Sequence, residues 1–363
     1  MNKKEYTILK KRFGCDFVVQ LPKGRRGRPI SVLQITDPQI IDSSQMRRPD
    51  RLSESAAKAW APENFDRQCG NHIRSLIEQT KPDLIFITGD IVYGEFDDNG
   101  TALKWLCELM DSFAVPWAPV FGNHDNESRM GVDYQCGLFE SAKYCLFERG
   151  NVTGNGNYTV GVAIGNDLVR VIHLLDSNGC THSEDEAVMK NKGIYEDQFE
   201  LVRKNTNEIR RSTSKFVPAF LAFHIPHHLF YVAERKKGYI APHRFYYTIG
   251  VDVPAKDGDF GFKHDSCDAF ETKTDMAKFC QENSIEAIFI GHHHNTATVI
   301  NYEGLKLVFG LKTGQYDSYI PGNIGGTLIT LLNEEYSVTN VSSCCPYGPV
   351  PHGEMRYEGF FQE

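Results

Sequence analysis

The chain has 363 residues, 41% hydrophobic and 24% charged, the composition of an ordinary globular protein long enough to bury a substantial core. Its formal net charge of −8 speaks against a nucleic-acid surface, because phosphate backbones select basic stripes. No run reaches the roughly 18 apolar residues that a membrane helix needs.

The N-terminal "MNKKEYTILKKRFG" is charged and lacks the apolar stretch of a signal peptide. The ten cysteines include no Cys-x-x-Cys pair. Together these lead us to expect reduced thiols in a cytoplasmic protein. The basic "KGRRGR" at 23–28 is short and reads as a solvated connection.

In chain order, "SVLQIT" stops at Asp37, and a helix-like segment at about 63–80 leads to "LIFIT", which stops at Gly89-Asp90. A second helical segment, at about 100–113, precedes "WAPVF", which ends at Gly122-Asn123. Segments at about 129–147 and 195–211 follow, with "VIHLLDSNG" and Asp176 between them. "FVPAFLAF" then ends on His224, and after a segment at about 268–283 "EAIFI" ends on Gly291-His292. This alternation predicts an α/β class. In open α/β sheets ligands bind beyond the carboxyl ends of strands, so these residues would gather along one edge. The glycines at three of the joints permit close backbone approach.

After His294 come the short alternating strands "TATVIN", "LKLVFG", "GGTLITLL" and "EYSVTNV", the second half of a layered sheet structure. The stretch 225–267 is rich in aromatics and weakly periodic. It reads as an insertion overhanging the site within a single domain spanning 1–363. Its histidines His227, His228, His243 and His264 are expected in surface or packing roles, contact of one of them with substrate phosphate being the alternative. Asp176 is expected to support the rim of the site or cap a turn.

The residues at the strand ends are Asp37, Asp90 with Tyr93, Asn123-His124-Asp125, His224, His292 and His294. Carboxylate, amide oxygen and imidazole together suit a pair of first-row metal ions, with a carboxylate such as Asp90 as bridge. His293 would point away from its neighbours on an extended chain and is left out. Singly, each motif is a turn or a loop; the ordered set carries the functional reading.

"TDPQ", "GDIVYG", "GNHDNE", "AFHIPHH" and "GHHHN", in this order and spacing, resemble the calcineurin-like metallophosphoesterase superfamily over about residues 30–335. The details are similar to its purple-acid-phosphatase side, in the small, signal-less branch. The resemblance implies a four-layer α/β/β/α sandwich of two mixed β-sheets flanked by helices. It implies that Asp37 and His294 hold a first metal, that Asp90 bridges, and that Asn123, His224 and His292 hold a second. His124 would stand beside the phosphate and donate a proton, oriented by Asp125. The implied reaction is hydrolysis of a small-molecule phosphoester, a monoester by preference, by a metal-bound hydroxide. A phosphodiesterase of cyclic nucleotides or phospholipid headgroups is the first alternative. An inactive binding scaffold is the second, against which stand the retained ligands.

Most members of the superfamily carry Asp-x-His where this sequence has Asp37-Pro38-Gln39. In purple acid phosphatases that histidine is missing and a tyrosine three residues after the bridging Asp replaces it, as Tyr93 follows Asp90 here. Phenolate is a hard anionic ligand, and free tyrosine titrates at about pH 10. Only a strongly acidic cation such as Fe(III) deprotonates it readily. The expected pair is therefore Fe(III) with divalent Fe, Zn or Mn; the alternative is two divalent ions, with Tyr93 an aromatic rim residue and Gln39 a weak amide ligand completing the first site.

Overall fold

The computed structural model describes residues 5–45, 65–182, 189–239, 246–265, 269–315, 319–320 and 322–343. His243 lies outside them.

Two mixed sheets form the centre. The smaller has five strands, in the order Glu335–Ser342, Gly325–Leu332, Ile30–Ile35, Leu84–Thr88 and Trp117–Val120. The last three run parallel and the first two antiparallel. The larger has ten. Its parallel centre is Asp167–Leu174, Ala219–Ala222, Ile285–Ile290 and Leu305–Phe309. On one side follow Tyr158–Ile164, Cys15–Leu21 and Thr7–Arg12; on the other, Thr296–Tyr302, Phe260–Lys263 and Tyr247–Thr248. A separate ribbon pairs Cys180–His182 with Met189–Asn191.

Alternation along the strands builds the layers. Phe220, Ala222, Ala287, Phe289 and Val308 join one buried cluster with Val32, Ile35, Ile85 and Phe86 of the smaller sheet. The rings of Phe86 and Phe289 meet edge to face across the sheets at 5.5 Å. The intervening residues Ala219, Leu221, Phe223, Ile288 and Ile290 belong to a second cluster, with Phe199, Val202, Phe230 and Phe279 from the helices Glu196–Thr213, Leu229–Lys237 and Met276–Glu282. The helices Phe65–Thr80 and Thr101–Ser112 add Ile73, Leu76, Leu103 and Leu106 to the first cluster. The order is helix, sheet, sheet, helix. Among the described residues no helix is long and apolar enough to cross a membrane.

Three expectations are corrected. The helix expected over 129–147 spans only Gly131–Ser141, because the chain then runs beside Trp117, whose carbonyl accepts the Leu146 N–H. The helix expected over 268–283 is Met276–Glu282, started by the Asp275 side chain, which accepts the Lys278 N–H at 3.1 Å. The described part of 225–267 is not a loop. It holds the Leu229–Lys237 helix, and its two strands extend the larger sheet. A buried Glu234–Lys263 ion pair and a 2.6 Å bond from Tyr239 Oη to Asp259 hold it together.

Candidate metal centre

Five strands, three from the smaller sheet and two from the larger, end at the same place. The parallel strands deliver Asp37, Asp90, Asn123, His224 and His292 just past their carboxyl ends, as expected for open α/β sheets. Asn123 Oδ1 faces His292 Nδ1 at 2.8 Å and His224 Nε2 at 3.1 Å. His224 Nε2 is also 3.2 Å from Asp90 Oδ2, and His294 Nε2 is 3.5 Å from Asp37 Oδ1. The other nitrogen of His224 is spent on the Thr88 carbonyl at 2.7 Å, which fixes the ring with Nε2 toward the site.

Glycine makes the approach possible. A Cβ on Gly122 would stand 2.2 Å from Asp90 Oδ1, one on Gly89 2.6 Å from His224 Cγ, and one on Gly291 2.6 Å from Asp37 Oδ2. Each of these glycines therefore clears space for a side chain arriving from another strand. Asp37, Asp90 and His292 themselves hold left-handed backbone, at φ 49°, 49° and 73°. Non-glycine residues keep that strain only where their surroundings impose it.

These side chains are buried and share charge. Burial would raise Asp37, but His294, His224 and Lys312 outweigh it and hold the carboxyl at about 2. Asp90 lies well below the carboxylate range because His224, His124 and His292 outweigh its burial. His224 is lifted to about 9, against burial, by Asp90 and Asp37. His292 falls to about 3 through burial and the neighbouring His224. A proton on His224 and a metal cation would thus compete for the same carboxylates.

The donor set fits two cations. Ligand atoms of Asp90, His224 and His292 lie within 4.8 Å of one another, and so do those of Asp37, Asp90 and His294. Asp90 is common to both groups. Asn123 adds an amide oxygen to the first of these triads.

His124 follows Asn123, with Nδ1 2.9 Å from Glu127 Oε2 and its ring stacked on Tyr93 at 4.2 Å and 23°. The expectation that Asp125 orients His124 is corrected here. The Asp125 carboxylate accepts the backbone N–H groups of Ile91, Val92 and Gly122 at 2.8, 2.9 and 2.6 Å. Burial and Asp90 push it up to about 7. Asp125 therefore ties the turn after Asp90 to the turn before Asn123. Asp176 caps a turn, accepting the Asn155 and Asn178 N–H groups at 2.8 and 2.7 Å. His293 packs edge to face on Phe309 at 5.3 Å, outside the donor set. His227 is satisfied by Thr272 Oγ1 and the Leu229 N–H, a packing role.

Two residues escaped the sequence reading. Glu127 could have been found from its place three residues after His124. Lys312, fully buried, donates from Nζ to Gln39 Oε1 at 2.5 Å and to the Asp37 carbonyl at 3.2 Å. Nothing in "LKTG" marks it.

The model of the calcineurin-like phosphoesterase family matches residues 30–296. The chain belongs to that family. Its purple-acid-phosphatase-like relatives include one named "Probable inactive purple acid phosphatase 28" from Arabidopsis thaliana, 23% identical over 274 residues, 68% of this chain and 62% of that protein. An uncharacterised Schizosaccharomyces pombe protein is 25% identical over 55% of this chain and 37% of its own length. Phosphatase DCR2 of Saccharomyces cerevisiae is 27% identical over 31% of this chain and 22% of its own. The chain thus spans between 22% and 62% of the length of these relatives. Among solved structures, a dimetal phosphatase from Danio rerio covers 86% of this chain and 96% of its own, with a TM-score of 0.48 and 11% identity. The purple acid phosphatase PPD1 of yellow lupin covers 90% of this chain and 54% of its own, with a TM-score of 0.48 and 14% identity.

Proposed function

We propose that this member of the calcineurin-like phosphoesterase family hydrolyses small phosphomonoesters at a dinuclear metal centre. The observation that carries the reading is the pair of triads sharing the buried Asp90. Asp37, Asp90 and His294 would hold the first ion, and Asp90, Asn123, His224 and His292 the second. Two cations there supply water activation and neutralisation of charge on the phosphoryl oxygens.

The remaining chemistry belongs to the chain. Glu127 can only accept at His124 Nδ1, so that nitrogen carries hydrogen and Nε2 is left as the working nitrogen. A proton held at Nε2 passes to the departing alkoxide oxygen. Tyr93, stacked on the same ring, limits its rotation and is proposed as a phenolate ligand when the first ion is Fe(III). Asp125 keeps the Asp90 and Asn123 turns in register. Retention of Asp37, Asp90, Asn123, His224, His292 and His294, and of His124, favours an active enzyme over a binding scaffold. A cytoplasmic location is part of the proposal, supported by six described cysteines that are not joined in disulfides.

The test is to strip the full chain of metal, reload it with manganese, zinc or iron, and assay an aryl phosphate monoester against a bis-aryl diester. Hydrolysis should vanish and return with metal, faster on the monoester. Faster diester cleavage would move the reading to a phosphodiesterase, and no hydrolysis under any loading would leave a scaffold.

A further inference from the structure

Gln39 occupies the position where an imidazole ligand is expected. It is fully buried, and so is Lys312, whose Nζ donates to the Gln39 side-chain oxygen at 2.5 Å. Nζ carries only donors, so this contact fixes the amide with oxygen toward Lys312 and nitrogen away from it. The same Nζ bonds the Asp37 carbonyl at 3.2 Å. One side chain thus ties both ends of the Asp37-Pro38-Gln39 turn.

That turn needs tying. Gln39 as well as Asp37 is left-handed, at φ 45° and 49°. Backbone bonds from Gln39 N–H to the Asp90 carbonyl (2.9 Å) and from Gly314 N–H to the Asp37 carbonyl (3.2 Å) add support. Gly314 lies so close that a Cβ would stand 2.0 Å from the Pro38 oxygen. The segment around Lys312 is therefore laid directly against the turn that carries a metal-type carboxylate.

The side-chain oxygen is the only atom of the Gln39 amide group able to ligate a cation, and the Lys312 ammonium at 2.5 Å takes one of its lone pairs and sets a like charge against any cation approaching the other. Gln39 Nε2, buried and without a hydrogen-bond partner among the described residues, is an N–H donor and cannot ligate. We infer that Lys312 and Gln39 act as one unit that braces the Asp37 turn and keeps residue 39 out of the first ion's coordination. Lys312 is then a positioning residue that sets the ligand number, and through it the metal preference, of the first site. The inference rests on the two-ion reading. An imidazole placed alone at position 39 would then not ligate, because the ring would meet Nζ first and accept from it.

Calorimetric titration of manganese into the metal-stripped full chain tests this in wild type, Lys312→Met, Gln39→His and the double variant. Wild type should take two ions. Lys312→Met should weaken one binding step by roughly 10–100-fold, the usual effect of losing a partner that orients a ligand, and leave the other step alone. Gln39→His by itself should tighten neither step, yet should recover the lost affinity when combined with Lys312→Met. Fewer than two ions on wild type would remove the dinuclear reading and this inference with it. With two ions bound, the inference is overturned if Lys312→Met changes neither step, or if Gln39→His tightens a step equally with and without Lys312. Should Lys312→Met fail to fold by circular dichroism, Lys312→Gln replaces it, since its shorter amide cannot serve both carbonyls. The same recovery by Gln39→His is then required.

Discussion

Glu127 Oε2 sits 2.9 Å from His124 Nδ1, on the turn that also presents Asn123 to the site. A proton donor held in this way is oriented by a charged partner, so the pair should act together. General acid catalysis typically contributes about 10²–10⁴ in rate. His124→Ala should lose that range on alkyl phosphates, Glu127→Ala a large part of it, and Glu127→Gln less, because an amide oxygen still accepts from Nδ1. Nitrophenyl phosphate, whose leaving group needs little protonation, should be nearly spared in all three. Equal losses in kcat on both substrates would show that the pair is structural.

Space at the strand ends gives a second prediction. Gly122→Ala would put a methyl 2.2 Å from Asp90 Oδ1, so the variant should fold but bind little metal. Gly137→Ala is the control: its Cβ meets nothing within 4 Å, and it lies in the helix Gly131–Ser141. Alanine there should stabilise by about 0.5–1 kcal/mol. Elemental analysis beside urea unfolding separates the two effects. Full metal content in Gly122→Ala would mean that Asp90 is not packed as described.

The contact between sheets yields a stability prediction. Phe289 is fully buried between Phe86 at 5.5 Å and Phe220 at 5.2 Å. Phe289→Ala should cost about 3–5 kcal/mol, the usual range for a deleted core aromatic. A loss below about 1 kcal/mol, as for a surface change, would contradict a close-packed seam between the two sheets.

Colour tests the role of Tyr93. Phenolate bound to Fe(III) gives a visible charge-transfer band, and phenol beside zinc or manganese gives none. Iron-loaded, oxidised protein should be coloured, and Tyr93→Phe should bleach it while keeping the fold. A colourless iron-loaded protein would exclude Tyr93 as a ligand and favour two divalent ions.

The strand ends were legible because central parallel strands are buried on both faces and read as unbroken apolar runs. Leu84–Thr88 is buried throughout, and its end is punctuated by Gly89-Asp90. Thr7–Arg12, "TILKKR", was not legible: it is an edge strand, largely exposed and basic, and its pairing partner rather than its own pattern makes it a strand. The helix Leu229–Lys237 hid in an aromatic stretch because nine residues give too few turns for a clear period. In the site, six of the seven expected ligand residues, Asp37, Asp90, Asn123, His224, His292 and His294, come together, while the seventh, Tyr93, stacks on His124. Lys312 is 273 residues from Gln39, a contact no local pattern encodes. Asp125 was misassigned because adjacency to His124 says nothing of direction; its carboxylate turns back to the Ile91, Val92 and Gly122 amides.

Asp90 is proposed to serve both ions, since it belongs to both triads. Metal content per chain, by elemental analysis of wild type, Asp90→Ala and Asn123→Ala after identical loading, tests it most directly. Wild type should hold about two ions, Asp90→Ala close to none and Asn123→Ala about one, each with the wild-type circular dichroism spectrum. Near wild-type metal content in Asp90→Ala would contradict it.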